Sequence, residues 1–252
     1  MTITDTTTGT NVEEIAENLY RISTPVDDLP GGFTFNQFLL VDEEPLLFHT
    51  GLRRLFAVTR EAVQHVLPPE KIRWIAFSHV EADECGSLNE WLAAAPEASP
   101  LCSRIAAMVS IGDLADREPR ALADGERVVL GRHTLTWLDA PHLPHGWECG
   151  YLFDESARTL FCGDLLTQPG SRHPAVTESD AAVWEPSEGM RKAFSYYADL
   201  RNPASLIDKL AATEPELLAC MHGSSYRGKG APLLRRLGEA LSADEPSPKR
   251  GA

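Results

Sequence analysis

The chain is expected to fold as an α/β domain in which two packed sheets carry helices on both outer faces. Three observations lead there. Short β-favouring runs bounded by turn residues alternate with helical patterns. The runs come in two similar halves, and no internal repeat or Pro/Gly/Ser-rich linker separates them.

"NLYRIST", "FTFNQFLLV" and "PLLFHTG" read as strands, followed by a helical pattern from about 52 to 66 that stops before Pro68-Pro69. "IRWIAFS" is a continuous apolar strand and "SLNEWLAAA" a helix closed by Pro96. "RVVLG", "HTLTWLDA", "CGYLFD" and "TLFCGD" are again strands. "GMRKAFSYYADL" and "PASLIDKLAA" look helical, "ELLAC" is a short strand, and a last helix is expected near 231 to 242. Residues 1–11 and 244–252 are expected to be flexible ends around a single domain, 12–243.

With 252 residues, 43% of them hydrophobic, the chain can bury a full core. Its 23 basic and 37 acidic residues leave a net charge of −14, which argues against nucleic acid and anionic membrane surfaces as partners. Cys85, Cys102, Cys149, Cys162 and Cys220 are scattered, without a CxxC pair, which suits a reducing compartment. The Thr-rich start "MTITDTTTGTNVEE" has no apolar stretch, and no run approaches a bilayer span. A cytoplasmic protein is the expectation.

The polar outliers stand at strand ends. His79, Glu81, Asp83 and Glu84 follow "IRWIAFS"; His142 and His145 follow "HTLTWL"; Asp164 closes "TLFC"; His222 follows "ELLAC". Loops at one sheet edge are where distant parts of a chain meet. Several imidazoles with four carboxylates have the composition of a two-metal site for iron, manganese or zinc, and no thiolate sits within the set to suggest an iron–sulfur cluster.

His-x-Glu-x-Asp at 79–83, followed by Gly86-Ser87-Leu88, resembles the metal-binding loop of the flavodiiron proteins, the O2- and NO-reducing members of the metallo-β-lactamase superfamily. "FNQFLLVDEEPLLFHTG" is similar to their opening hairpin, "LFCGDLL" to the strand ending in the bridging aspartate, "RKAFSYYADLRNP" to their Tyr-Tyr helix and "MHGSSYRG" to the loop with the last histidine. The resemblance runs from about residue 13 to 230 and implies the αββα metallo-β-lactamase sandwich. It also implies a pair of iron ions, one held by His79, Glu81, His145 and Asp164, the other by Asp83, Glu84, Asp164 and His222. His145 is favoured over His142 because it lies 19 positions before Asp164, the family's compact spacing; His142 is then the candidate proton donor.

Two positions depart from the family pattern. Glu84 stands where the family has His, and His49-Thr50 stands where the superfamily usually has Asp-Thr. Four carboxylates cancel the charge of two divalent ions, whereas three leave one positive charge, so Glu84 as a ligand is expected to lower the reduction potential. His49 is a candidate for orienting a ligand from behind.

The implied function is a non-heme di-iron protein that binds, reduces or senses O2 or NO. Nothing after residue 230 resembles the FMN-carrying flavodoxin-like domain of the family, so a separate redox partner protein is expected; a homodimer is also compatible. The competing reading is a binuclear zinc or manganese hydrolase acting on an ester, lactone, thioester or phosphodiester. Glu81, where hydrolytic relatives carry a second His, tilts the choice to iron. Bland explanations exist for single residues: acids at a helix start for Asp83 and Glu84, a turn for Asp164, packing for the cysteines, Trp147 and Tyr196-Tyr197, and surface positions for His65, His133 and His173.

Overall fold

The computed structural model describes residues 1–197 and 202–243. The tail 244–252, expected to be flexible, lies outside the described residues, as do 198–201.

The first sheet has the order β1-β2-β3-β4-β5-β6-β7-β8: Thr2–Ile3, Asn11–Ala16, Leu19–Val26, Phe33–Leu40, Leu46–Phe48, Trp74–Ala76, Ser99–Ser103 and Arg120–Leu122. Pairing is antiparallel as far as β5 and parallel from β5 to β8. Within the segment 1–11, Thr2 pairs with Val12 and Ile3 with Asn11. In the second sheet β9 is Arg127–Val129, β10 Thr134–Asp139, β11 Gly150–Asp154, β12 Thr159–Phe161, β13 Val176–Thr177, β14 Leu217–Ala219 and β15 Ser225–Arg227, ordered β13-β15-β14-β12-β11-β10-β9. The pair β12·β14 is parallel, as are β5·β6 and β6·β7.

Alternation of side chains along each strand gives both sheets two apolar faces. The inner faces meet through Phe38, Phe48, Leu101, Trp137, Leu152 and Phe161. The outer face of the first sheet packs on α1 (Phe56–Gln64) and α3 (Leu88–Ala94), with Trp91 fully buried; between these two helices lies the one-turn α2 (Ala82–Cys85). α4 (Arg104–Ala106) continues through a π turn (Ala107–Ile111) into α5 (Gly112–Leu114). The outer face of the second sheet packs on α6 (Asp180–Phe194), α7 (Pro203–Ala211) and α8 (Gly230–Ala243). The expected αββα layering is therefore present.

Three expectations need correction. The helix expected over 189–200 occupies Asp180–Phe194; Ser179 caps its start by accepting from Ala182 N, and Ser195 ends it in the left-handed region at φ 50°. Tyr196 and Tyr197 thus follow the helix. His133, expected at the surface, is 8% exposed, with Nδ1 2.6 Å from Asp154 Oδ2. Trp147, expected to pack, is 56% exposed.

Candidate metal centre

Parallel strands send their carboxyl ends to the same edge, and the two sheets turn these ends toward one crevice. β5 and β6 deliver His49 and the loop 77–81; β12 and β14 deliver Asp164 and His222. Glu81 stands at the N-terminus of α2, yet its carboxylate caps no helix N–H. The helix is held instead by the chain after β5: Thr50 N donates to Glu84 O and Gly51 N to Asp83 O.

Seven of the eight predicted site residues come together in two groups. His79, Glu81, His145 and Asp164 offer ligand atoms all within 4.8 Å of one another, and Asp83, Glu84 and His222 do the same. Asp164 joins the groups: Oδ2 lies 3.8 Å from His79 Nε2 and 3.9 Å from His145 Nε2, while Oδ1 lies 3.1 Å from His222 Nε2. His222 Nε2 is also 3.3 Å from Asp83 Oδ2. Glu81 Oε2 lies 2.7 Å from His145 Nε2 and 3.1 Å from His79 Nε2. His142 stands apart. It is half-buried, has a left-handed backbone (φ 63°) and joins neither group.

The ring orientations are fixed from outside. His145 Nδ1 donates to Tyr196 O at 3.1 Å and His222 Nδ1 to Thr34 O at 2.7 Å; a carbonyl only accepts, so both protons sit on Nδ1. A neutral ring then turns the Nε2 lone pair toward carboxylates. Such lone pairs facing anions need a second proton on each ring or a cation between them. Glu84 makes the same demand more strongly: it is wholly buried and neither carboxylate oxygen accepts a hydrogen bond, and Asp164 Oδ1 likewise accepts none.

The electrostatics show how protons answer that demand. Burial pushes His79 down, but Glu84, Cys149, Glu81 and Asp164 outweigh it and hold its pKa well above the usual value. His222 is likewise raised by Asp164 and Asp83 against burial, and His145 chiefly by its hydrogen bond to Glu81. His145 and His79 hold Glu81 far below the usual carboxylate range. Burial pushes Asp83 and Asp164 up, but the adjoining His222 leaves both below it. Glu84 goes the other way: burial, with Asp164 and Asp83 nearby, raises it well above the ordinary value. Burial also lifts the Cys85 thiol to about 11, so it is no thiolate ligand at neutral pH.

Several supporting residues carried no sequence signal of their own. Asn36 Nδ2 donates to Cys220 O and Gly223 O, and the buried Arg21 donates to the same Gly223 carbonyl, fixing the loop around His222. The rings of Phe33 and Phe35 flank His222 at 4.2 and 5.4 Å. Gly163, at φ 45°, sits so close to Ser78 that a Cβ there would come within 2.7 Å of Ser78 Oγ.

Similarity to known proteins covers most of the chain. Residues 33–223 match the profile of the family described as "ODP family beta lactamase". The chain is 26% identical over 210 residues to the rubredoxin-oxygen oxidoreductase of Megalodesulfovibrio gigas, covering 79% of this chain and 50% of that protein. It is 24% identical over 176 residues to a nitric oxide reductase of Moorella thermoacetica, covering 69% and 43%. A flavoprotein structure from Thermotoga maritima superposes with a TM-score of 0.81 at 18% identity, covering 96% of this chain and 63% of that one, and so shares its fold. The chain spans between 24% and 50% of the length of the curated relatives it matches.

Proposed function

The chain belongs to the ODP family of β-lactamases, and from that premise we propose that it is a non-heme di-iron protein whose binuclear centre binds and reduces O2 or NO. The observation that carries the reading is the seven-residue set itself. Each of His79, His145 and His222 turns Nε2 into a cluster of four carboxylates, one of which, Glu84, is buried with both oxygens unpartnered. His79, Glu81, His145 and Asp164 would hold one ion, and Asp83, Glu84 and His222, with Asp164 shared, the other.

The donor set fits iron: imidazole and carboxylate without thiolate suit an ion that changes valence, and the same set also accepts manganese or zinc. Iron held by these residues would supply the electrons for reduction of the diatomic. The chain's own part is to place the ligands, to neutralise the ions with four carboxylates, and to keep the inner side of the centre dry while Glu81, about half exposed, and His145 face the open side. Two relatives are named for reactions with O2 and NO, which is why these diatomics are proposed as substrates. Repeated turnover then calls for an electron-donating protein as partner. No helix among the described residues is long and apolar enough to cross a membrane.

Metal analysis of aerobically purified protein, with its near-ultraviolet spectrum and an O2-consumption assay under a chemical reductant, tests the reading. Two irons per chain, an oxo-bridge absorption band and reductant-dependent O2 uptake are expected. Two zincs, a featureless spectrum and ester or lactone cleavage would establish the hydrolase instead.

A further inference from the structure

His49 lies directly behind the centre in an unusual state. It is wholly buried, and its backbone adopts the left-handed region at φ 66°, uncommon for any residue with a Cβ. The conformation is held by His49 N donating to Ala76 O at 2.8 Å. Both ring nitrogens are engaged: Nδ1 is 2.8 Å from Met221 Sδ, and Nε2 is 3.0 Å from Ser78 Oγ. Ser78 Oγ is in turn 2.9 Å from His79 Nδ1.

The chemistry of the far end gives this chain a single direction. A thioether sulfur has no proton to give, so at that distance His49 Nδ1 must carry the hydrogen. With burial pushing its pKa well below the ordinary value, His49 is neutral and Nε2 is a lone pair. Ser78 must then give its hydroxyl hydrogen to His49 and accept from His79 Nδ1. His79 Nδ1 then carries a hydrogen, so a cation at the first metal position would meet Nε2, which lies 3.1 Å from Glu81 Oε2.

We propose that His49 is a positioning residue that, through Ser78, fixes His79 as the Nδ1–H tautomer with Nε2 presented to the first metal position. This rests on the binuclear reading above. His49 supplies the acceptor that keeps Ser78 pointed away from His79, and it does so without adding a negative charge to a centre that already gathers four carboxylates. An aspartate at the same place would accept the same hydrogen bond and would also push electron density onto His79.

The test uses the full chain loaded with Zn(II), which is diamagnetic and needs no redox chemistry. In ¹⁵N imidazole NMR, His49 and His79 are expected to read as Nδ1–H tautomers in the wild-type protein. Ser78→Ala and His49→Leu are each expected to weaken the ion held with His79 by about 10–100-fold, the range usual for loss of a ligand's hydrogen-bond partner. Because both act on one chain of bonds, the double variant should be no weaker than the worse single variant. In the iron-loaded protein His49→Asp is expected to lower the midpoint potential. A His49 ring carrying its proton on Nε2 would overturn the proposal even where the variants fail to fold, and so would single-variant losses that simply add. Wild-type protein that takes up no Zn(II) would overturn the binuclear reading itself; wild-type protein that takes up two, with both variants unchanged, would overturn only the role of His49.

Discussion

Asp164 Oδ1 lies 3.1 Å from His222 Nε2, and the two residues leave neighbouring parallel strands in matching register. Phe161 pairs with Ala219, and each chain then runs three residues to its site residue, so strand register sets the relation between the two groups of ligands. Asp164 is the only residue within ion-pairing reach of histidines from both groups among the described residues. Asp164→Asn is therefore expected to lose both metals, whereas His145→Ala should lose one. Metal stoichiometry by mass spectrometry after desalting separates the two outcomes.

Glu84 gives a prediction of opposite signs in the two states. Its buried carboxylate is unpartnered and its pKa is raised by burial, so it is a burden to the metal-free chain and an asset to the loaded one. Glu84→Gln should stabilise the metal-free protein at pH 8, because it removes the cost of burying that charge. It should weaken the second ion at least tenfold. Glu84→His should retain both ions and raise the midpoint potential, because a neutral ring replaces a negative charge. Chemical unfolding, metal titration and spectroelectrochemistry read these effects, and an unchanged potential would remove Glu84 from the ligand set.

The pH dependence follows from the same groups. His79, His145 and His222 have folded-state pKa values above the ordinary 6.5, and Glu84 lies above the ordinary 4.5. A group raised on folding stabilises fully below its unfolded value and loses that contribution as pH rises through the folded one. Glu81, Asp83 and Asp164 are depressed, so their contributions are present above the ordinary 3.8–4.5 and lost below it. The metal-free chain should be most stable near pH 5 and weaken toward pH 8. In the loaded chain a cation replaces the protons, so the gap in Tm between loaded and chelator-treated protein should widen from pH 5.5 to pH 8. A constant gap would mean these residues do not exchange protons for metal.

Gly163 is a steric prediction. At φ 45°, with Ser78 Oγ 2.7 Å from where a Cβ would stand, an alanine must displace Ser78. Gly163→Ala should loosen the ion held with His79 while sparing the one held by Asp83 and Glu84, as read by stepwise Zn(II) titration. Equal loss of both ions would show that the substitution disturbs the whole edge instead.

The layers were legible in the sequence, as were the seven residues that the structure gathers into two groups, since apolar runs ending in His, Asp or Glu mark strands that stop at a reactive edge. The loop 79–84 and the pair Asp164 and His222 were read this way. The choice between His142 and His145 was harder to read, because both lie in one loop and only its path takes His145 Nδ1 to the Tyr196 carbonyl. Helix α6 was placed too late in the sequence reading because Pro186 looks like a breaker, yet it falls inside the helix. Strand β7 was missed because Pro100 interrupts its β-favouring run. Ser78, Met221 and Asn36 could not be read at all: their roles depend on contacts spanning 29 to 187 positions, which no local pattern records.

Anomalous diffraction at the iron edge, on crystals of protein purified without added metal, bears most directly on the central claim. Two peaks are expected, one among His79, Glu81, His145 and Asp164 and the other among Asp83, Glu84, His222 and Asp164, with an Asp164 oxygen beside each. A single peak, or density for a proton-linked cluster with no metal between the imidazoles and the carboxylates, would contradict it.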